Sequence, residues 1–83
     1  MGKHISEDIA IDAYENGIKI GKIDPSRETK GLWWEVFKTN DGIIACIVNE
    51  DGVISGEKIT EDELLLYVDD LKTAKELLLT ERV

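Results

Sequence analysis

The feature that most constrains this chain is a central stretch in which two Asp-Gly pairs separate three runs rich in β-forming residues. Asp41-Gly42 and Asp51-Gly52 lie between these runs, and glycine readily supplies the positive φ angle that a tight hairpin requires. The runs cover residues 32–38, 43–49 and 53–57. The sequence therefore predicts three antiparallel strands in chain order, joined by two short turns.

Both faces of this predicted sheet are apolar. Hairpin loops of two or four residues give the same facing parity, so the assignment does not depend on loop length. One face carries Trp34, Val36, Ile43, Ala45, Ile47 and Ile54. The opposite face carries Trp33, Phe37, Ile44, Cys46, Val48 and Val53. An antiparallel sheet with one side in water alternates apolar and polar residues instead, so each face of this sheet needs a cover.

Residues 6–16 are predicted to form a short N-terminal helix. Ser6 is a favourable N-cap, acidic residues follow it in the first turn, and Gly17 favours a helix end. The same residues also fit a β-hairpin that turns at Asn16-Gly17, because isoleucines alternate on both sides of it. The cap signals at both ends favour the helix. Residues 18–23 then form the first strand of a four-stranded meander.

A long C-terminal helix is predicted from Thr60 onward. Thr60 and Glu63 match a capping box, in which each side chain accepts a hydrogen bond from the other residue's backbone N–H. Apolar residues at helical spacing then define one stripe: Leu64, Tyr67, Val68, Leu71, Ala74 and Leu78. Further leucines are expected to widen that apolar face: Leu65, Leu66, Leu77 and Leu79. The helix is predicted to pack on one face of the sheet.

These elements predict an α+β fold in a single domain that spans residues 1–83, since 83 residues are too few for two independently stable domains. The architecture is a short N-terminal helix, a three- to four-stranded antiparallel meander and a long C-terminal helix. Residues 24–31 are predicted to form the one longer loop, because Pro25 suits a turn and Gly31 ends the stretch.

The short helix is a small cover for the second face, which leads to two alternatives. In one, both tryptophans are core residues of a sandwich covered on both sides, as large aromatic residues usually are. In the other, a residual apolar patch binds a partner, because aromatic residues are enriched at interfaces. The candidate partner-binding residues on this apolar face are Trp33, Phe37, Ile44 and Val48.

The charge of the chain is concentrated in its C-terminal half. The formal net charge is −8, and residues 41–83 contribute −7 of it through eleven acidic and four basic residues. This balance argues against direct nucleic-acid binding, since phosphate contacts need clustered Lys and Arg. An acidic surface is instead expected to bind a partner electrostatically. Its candidate residues are Glu50, Asp51, Glu61, Asp62, Asp69 and Asp70.

The sequence offers no convergent set of catalytic or metal-binding residues. Cys46 is the single cysteine, which excludes an intramolecular disulfide, and its apolar neighbours predict an unreactive thiol. His4, the only histidine, lies near the N-terminus. Residues 49–55 resemble part of a calcium loop, but the first acidic ligand and the bidentate glutamate are missing, which favours a plain hairpin turn. We therefore expect no enzymatic activity, no cofactor and no metal.

No apolar run approaches the ~20 residues that a membrane-spanning helix needs, and the N-terminus lacks a secretory apolar region. A cytoplasmic location without membrane contact is expected.

Two functions from different classes remain. The preferred hypothesis is a small, non-catalytic protein–protein interaction or regulatory module whose partner is another protein or a second copy of the chain, giving a homodimer. The alternative is a nucleic-acid mimic, a phage-type inhibitor whose acidic C-terminal half blocks a basic nucleic-acid-binding site.

Overall fold

The computed structural model describes residues 3–23 and 31–79. Its elements in chain order are β1 (Lys3–His4), α1 (Glu7–Asn16), β2 (Ile18–Ile23), β3 (Trp33–Thr39), β4 (Gly42–Asn49), β5 (Gly52–Ile59), a 3-10 helix (Glu61–Leu66) and α2 (Leu71–Leu79). Strands β2 to β5 form an antiparallel meander, and β1 pairs with the outer edge of β5, so the sheet order is β1-β5-β4-β3-β2. The predicted four-stranded meander with a helix at each end is confirmed. The predicted loop lies outside the described residues, except for Gly31.

The two hairpins depend on glycine, but one position later in each turn than the Asp-Gly pairs suggest. Gly42 and Gly52 have φ angles of +118° and +125°, in the region that L-residues rarely adopt. Each glycine is the first residue of a strand and pairs across the turn, so the loops centre on residues 40–41 and 50–51. The facing parity of the strands is unaffected by this change.

Helix α1 covers one face of the sheet through close approach. Ser6 is its N-cap, as predicted, and the buried residues of the helix are Ala10 and Ala13. Gly17 ends the helix in an extended conformation (φ −77°), not in the left-handed one that a helix-ending glycine often adopts. A Cβ at Gly17 would lie 2.6 Å from the Ala13 carbonyl oxygen and 3.1 Å from Phe37 Cβ. Glycine is needed there because helix and strand touch.

The prediction of one long C-terminal helix is wrong. The capping box is present, with the Thr60 N–H donating to Glu63 Oε1 at 2.9 Å and the Glu63 N–H donating to Thr60 Oγ1 at 3.3 Å. It starts a 3-10 helix of 6 residues, however, and α2 follows as a separate helix of 9 residues. The chain between them, residues 67–70, is not helical.

Tertiary contacts explain this break. The Tyr67 hydroxyl donates to Glu57 Oε1 at 2.9 Å, and the Asp69 N–H donates to the Lys22 carbonyl oxygen at 2.8 Å, at the outer edge of β2. A new helix then starts at Asp70, whose carboxylate accepts hydrogen bonds from the backbone N–H and the hydroxyl of Thr73. The chain therefore crosses the sheet to β2, and α2 then packs along that strand, which a single straight helix cannot do.

The core consists of two clusters, one on each face of the sheet. The first lies under the C-terminal segment: Ile20, Val36, Ile43, Ala45, Ile59, Leu64, Tyr67, Val68 and Ala74. The second lies under α1: Ala10, Ala13, Phe37, Ile44, Cys46 and Val48. Both apolar faces are thus covered within one chain. The register skips Ile54, because Val53 pairs with Val48 and Ser55 with Ile47. Ile54 lies at this bulge and is exposed, whereas we expected it on the face of Trp34.

Candidate interaction surfaces

The residues predicted to form an apolar partner-binding face lie mostly inside the protein. Phe37, Ile44 and Val48 are buried in the cluster under α1, where the Tyr14 ring meets Phe37 edge-on with centroids 5.6 Å apart. Trp33 packs at the margin of this cluster and is half-buried. Of the four predicted residues, only Trp33 therefore offers substantial surface to a partner.

Trp33 is held by a buried carboxylate that the sequence reasoning missed. Its indole N–H donates to Glu35 Oε2 at 2.7 Å, and Lys19 Nζ lies 3.4 Å from Glu35 Oε1. Glu35 is the one charged residue that is buried among those the structure describes. A signal was available, because Glu35 interrupts the apolar run of residues 32–37 and alternation puts it on the face of Trp33. This arrangement satisfies both carboxylate oxygens and fixes the indole ring.

Cys46 faces Glu35 across the β3–β4 pair. Burial and, to a lesser extent, the nearby Glu35 carboxylate raise the pKa of the Cys46 thiol to about 11. The Sγ atom lies 3.5 Å from the Ala10 carbonyl oxygen, within reach of a weak hydrogen bond. A thiol held in this way stays protonated at neutral pH and is a poor nucleophile, as its apolar sequence surroundings predict.

The acidic residues that the sequence singles out lie at three separate places. Glu50 and Asp51 form the turn at one end of β5, and the pair Glu61 and Asp62 follows the other end. Seven residue steps of strand put these pairs roughly 23 Å apart. Asp69, with its neighbour Asp70, lies beside β2 at the opposite edge of the sheet. The structure does not gather the six carboxylates at one place.

The largest exposed apolar side chains belong to the C-terminal segment. Leu65, Leu66 and Leu79 are 58%, 55% and 77% exposed, whereas Leu64 is fully buried. Leu77 is also exposed, so the expectation that these leucines widen the buried face is wrong. Each short helix turns only one side to the sheet, and these four leucines lie away from that side. We call Leu65, Leu66, Leu77 and Leu79 the C-terminal leucines.

A second exposed apolar group belongs to α1, where Ile9, Ile11 and Tyr14 are each exposed, though less than Leu65 and Leu66. Beside α1, a polar depression of about 390 Å³ lies between the helix and the β3–β4 turn. It is lined by Asp12, Asn16, Gly17, Ile18, Lys38, Thr39, Asn40 and Asp41. Two of its lining side chains are hydrogen-bonded to each other, since the Asn16 amide donates to Asp12 Oδ1 at 2.9 Å.

Within residues 3–23 and 31–79, no group of three or more His, Cys, Asp or Glu side chains is placed to hold a metal ion. No helix in these ranges is long and apolar enough to cross a bilayer. Comparisons of the chain with protein-family models, with curated proteins and with solved structures found no match.

Proposed function

We propose that this protein is a non-catalytic interaction module that binds a protein partner through its C-terminal leucines. The observation that carries the proposal is the contrast within three consecutive residues, where Leu64 is fully buried and Leu65 and Leu66 are more than half exposed. Large exposed apolar side chains that adjoin each other, as Leu65 and Leu66 do in the chain, are typical of interaction sites.

The backbone that presents these leucines is firmly attached to the sheet. Beyond the contacts of Tyr67 and Asp69 described above, Lys38 Nζ donates to the Leu78 carbonyl oxygen at 2.8 Å and so ties down the end of α2. A surface that is ordered before binding loses little conformational entropy when it binds. Burial of leucine side chains on such a scaffold therefore favours association.

The nucleic-acid-mimic alternative requires a carboxylate array that imitates phosphates. The separation of Glu50 and Asp51 from the other acidic pairs favours an interaction module over such a mimic. In this proposal the acidic residues near the leucines form a polar rim, as is usual around an apolar contact.

Differential capture tests the proposal. The wild-type chain, the double variant Leu65→Ser/Leu66→Ser and the control variant Ile54→Ser are immobilised, and the proteins retained from a lysate of the native host are quantified. Ile54 is a matched control because it is exposed and apolar but lies on β5. We expect a partner that the wild type and the control retain and the double variant loses. Equal retention by all three chains would overturn the proposal.

The double variant must first be shown to fold. Both leucines are exposed, so the free energy of unfolding should change by no more than about 0.5 kcal/mol per residue. Sedimentation of the wild type at increasing concentration adds a second readout, because a leucine-dependent dimer identifies the partner as another copy of the chain.

A further inference from the structure

Resting on this proposed function, we infer that the C-terminal leucines bind a basic amphipathic segment of another protein, in which Lys and Arg side chains flank an apolar stripe. The charge around the leucines is the reason. Residues 61–79 contain six acidic residues and two lysines, a net charge of −4. Of the six carboxylates, five are on exposed residues: Glu61, Asp62, Asp69, Asp70 and Glu76.

This charge disfavours the other simple occupants. A second copy would bring two segments of net charge −4, on chains of net charge −8, against each other. Like charges placed against each other at an interface oppose association. Anionic lipid surfaces and nucleic acids are repelled for the same reason. A partner that matches both the leucines and the carboxylates must be apolar at its centre and basic at its rim.

The acidic residues lie on both sides of the exposed leucine pair in the chain. Glu61 and Asp62 precede Leu65 and Leu66, and the pair Asp69-Asp70 follows them. Helix α1 also combines acidic and apolar residues, but its most exposed large apolar residue, Ile9, is 42% exposed, less than either leucine. The surface of α1 therefore serves as the control surface in the experiment.

Three labelled peptides of about 18 residues, long enough to form a helix on binding, probe the inference by fluorescence anisotropy. The first places Lys and Leu so that a helix has one apolar stripe, the second has the same composition in scrambled order, and the third replaces Lys with Glu. We expect the first to bind most tightly. Its affinity should fall about tenfold for Leu65→Ser/Leu66→Ser and less than about twofold for the control Ile11→Ser.

A charge variant separates the two parts of the contact. Glu61→Gln/Asp62→Asn keeps the leucines, and it should weaken binding of the first peptide at low salt while reducing the effect of added salt. Chemical shifts of the 15N-labelled chain should change mainly in residues 61–79.

Three results would overturn the inference. Equal binding of the ordered and scrambled peptides would mean plain charge attraction. Preference for the acidic peptide would reverse the charge argument, and leucine-dependent dimerisation would identify a second copy as the occupant. In the last two cases the proposed function stands, because the leucines still bind a protein. The proposed function itself fails only when the capture experiment shows no dependence on Leu65 and Leu66.

Discussion

Helix α1 and the C-terminal segment each cover one face of the sheet, but they bury side chains of different size. Helix α1 contributes small side chains, Ala10 and Ala13, and lies so close that a Cβ at Gly56 would come within 2.9 Å of Ala10 Cβ. The C-terminal segment contributes large ones, led by Leu64 and by Tyr67, whose ring meets Trp34 edge-on at 4.7 Å.

This difference bears on where apolar side chains stay exposed. Helix α1 buries two alanines and needs a glycine opposite them, whereas the C-terminal segment buries mainly large residues and comes close to the strand at Gly21, where a Cβ would lie 2.7 Å from Val68 Cγ1. The C-terminal segment is also divided into a 3-10 helix and α2, and each of them leaves leucines exposed. The exposed leucines are thus a consequence of how that cover is built.

The largest expected effect is the loss of a large side chain from the C-terminal cover. Leu64→Ala should lower the free energy of unfolding by about 2–5 kcal/mol, because it removes a fully buried leucine and leaves a cavity. Urea unfolding followed by tryptophan fluorescence measures the change. The neighbouring Leu65→Ala is the control, with an expected change within about 0.5 kcal/mol. Equal losses in the two variants would contradict the assigned burial.

Enlarging the close helix should have the next largest effect. Ala10→Leu is expected to cost about 1–3 kcal/mol, because the side chain has no room between α1 and the sheet. Labelling of Cys46 reports on this cover separately, since the thiol lies under α1. We expect Ala10→Leu to accelerate labelling under native conditions more than Leu64→Ala does, despite the smaller loss of global stability. The reverse order would mean that α1 opens only with the whole fold.

Removing the cap of α1 or of the 3-10 helix should lower stability by less than the two core substitutions do. Thr60→Ala removes one half of a reciprocal capping box and should cost about 1 kcal/mol, whereas Ser6→Ala removes a single acceptor and should cost about 0.5 kcal/mol. The Ser6 Oγ atom accepts from the Ile9 N–H at 3.4 Å, a long hydrogen bond. Thermal unfolding of both variants, with Thr60→Ser as the conservative control, compares them. A larger loss for Ser6→Ala would make the N-terminal cap the more important one.

The smallest effect concerns acid stability at the start of α2. Hydrogen bonds from the Thr73 backbone N–H and then from its hydroxyl lower the pKa of Asp70 below its ordinary value of 3.8. A lowered pKa in the folded state gives stability that is present above the unfolded pKa and is lost as the pH falls through the folded one. The thermal midpoint of the wild type should therefore fall more steeply below pH 3.8 than that of Asp70→Asn.

A second variant separates the contributions to this effect. Thr73→Val keeps the backbone donor and removes the hydroxyl, so its acid profile should lie between the other two. Parallel profiles for all three proteins would show that Asp70 does not contribute to acid stability.

Much of the fold could be predicted from local signals. The hairpin glycines, the Ser6 cap and the Thr60–Glu63 box each act within a few residues, so β2 to β5, α1 and the start of the 3-10 helix follow from sequence, whereas the pairing of β1 with β5 was not predicted. The candidate site was harder to predict from the sequence than the fold. Phe37, Ile44 and Val48 were assigned to a surface because the area that α1 covers depends on how closely it approaches the sheet, and no local pattern shows that distance.

By itself, the sequence determined a four-stranded meander that is apolar on both faces, with one helix before it and one after it in the chain, and with its negative charge in the C-terminal half. Only the tertiary structure decided that α1 closes the second face, that Glu35 is buried against Trp33, and that the C-terminal helix breaks near Tyr67 to follow β2. The physical reason is that periodicity is a local property, whereas burial depends on contacts between residues far apart in the chain. Two hydrogen bonds to other strands accompany the break in the predicted helix, and the four leucines that the pattern placed on its apolar face are exposed.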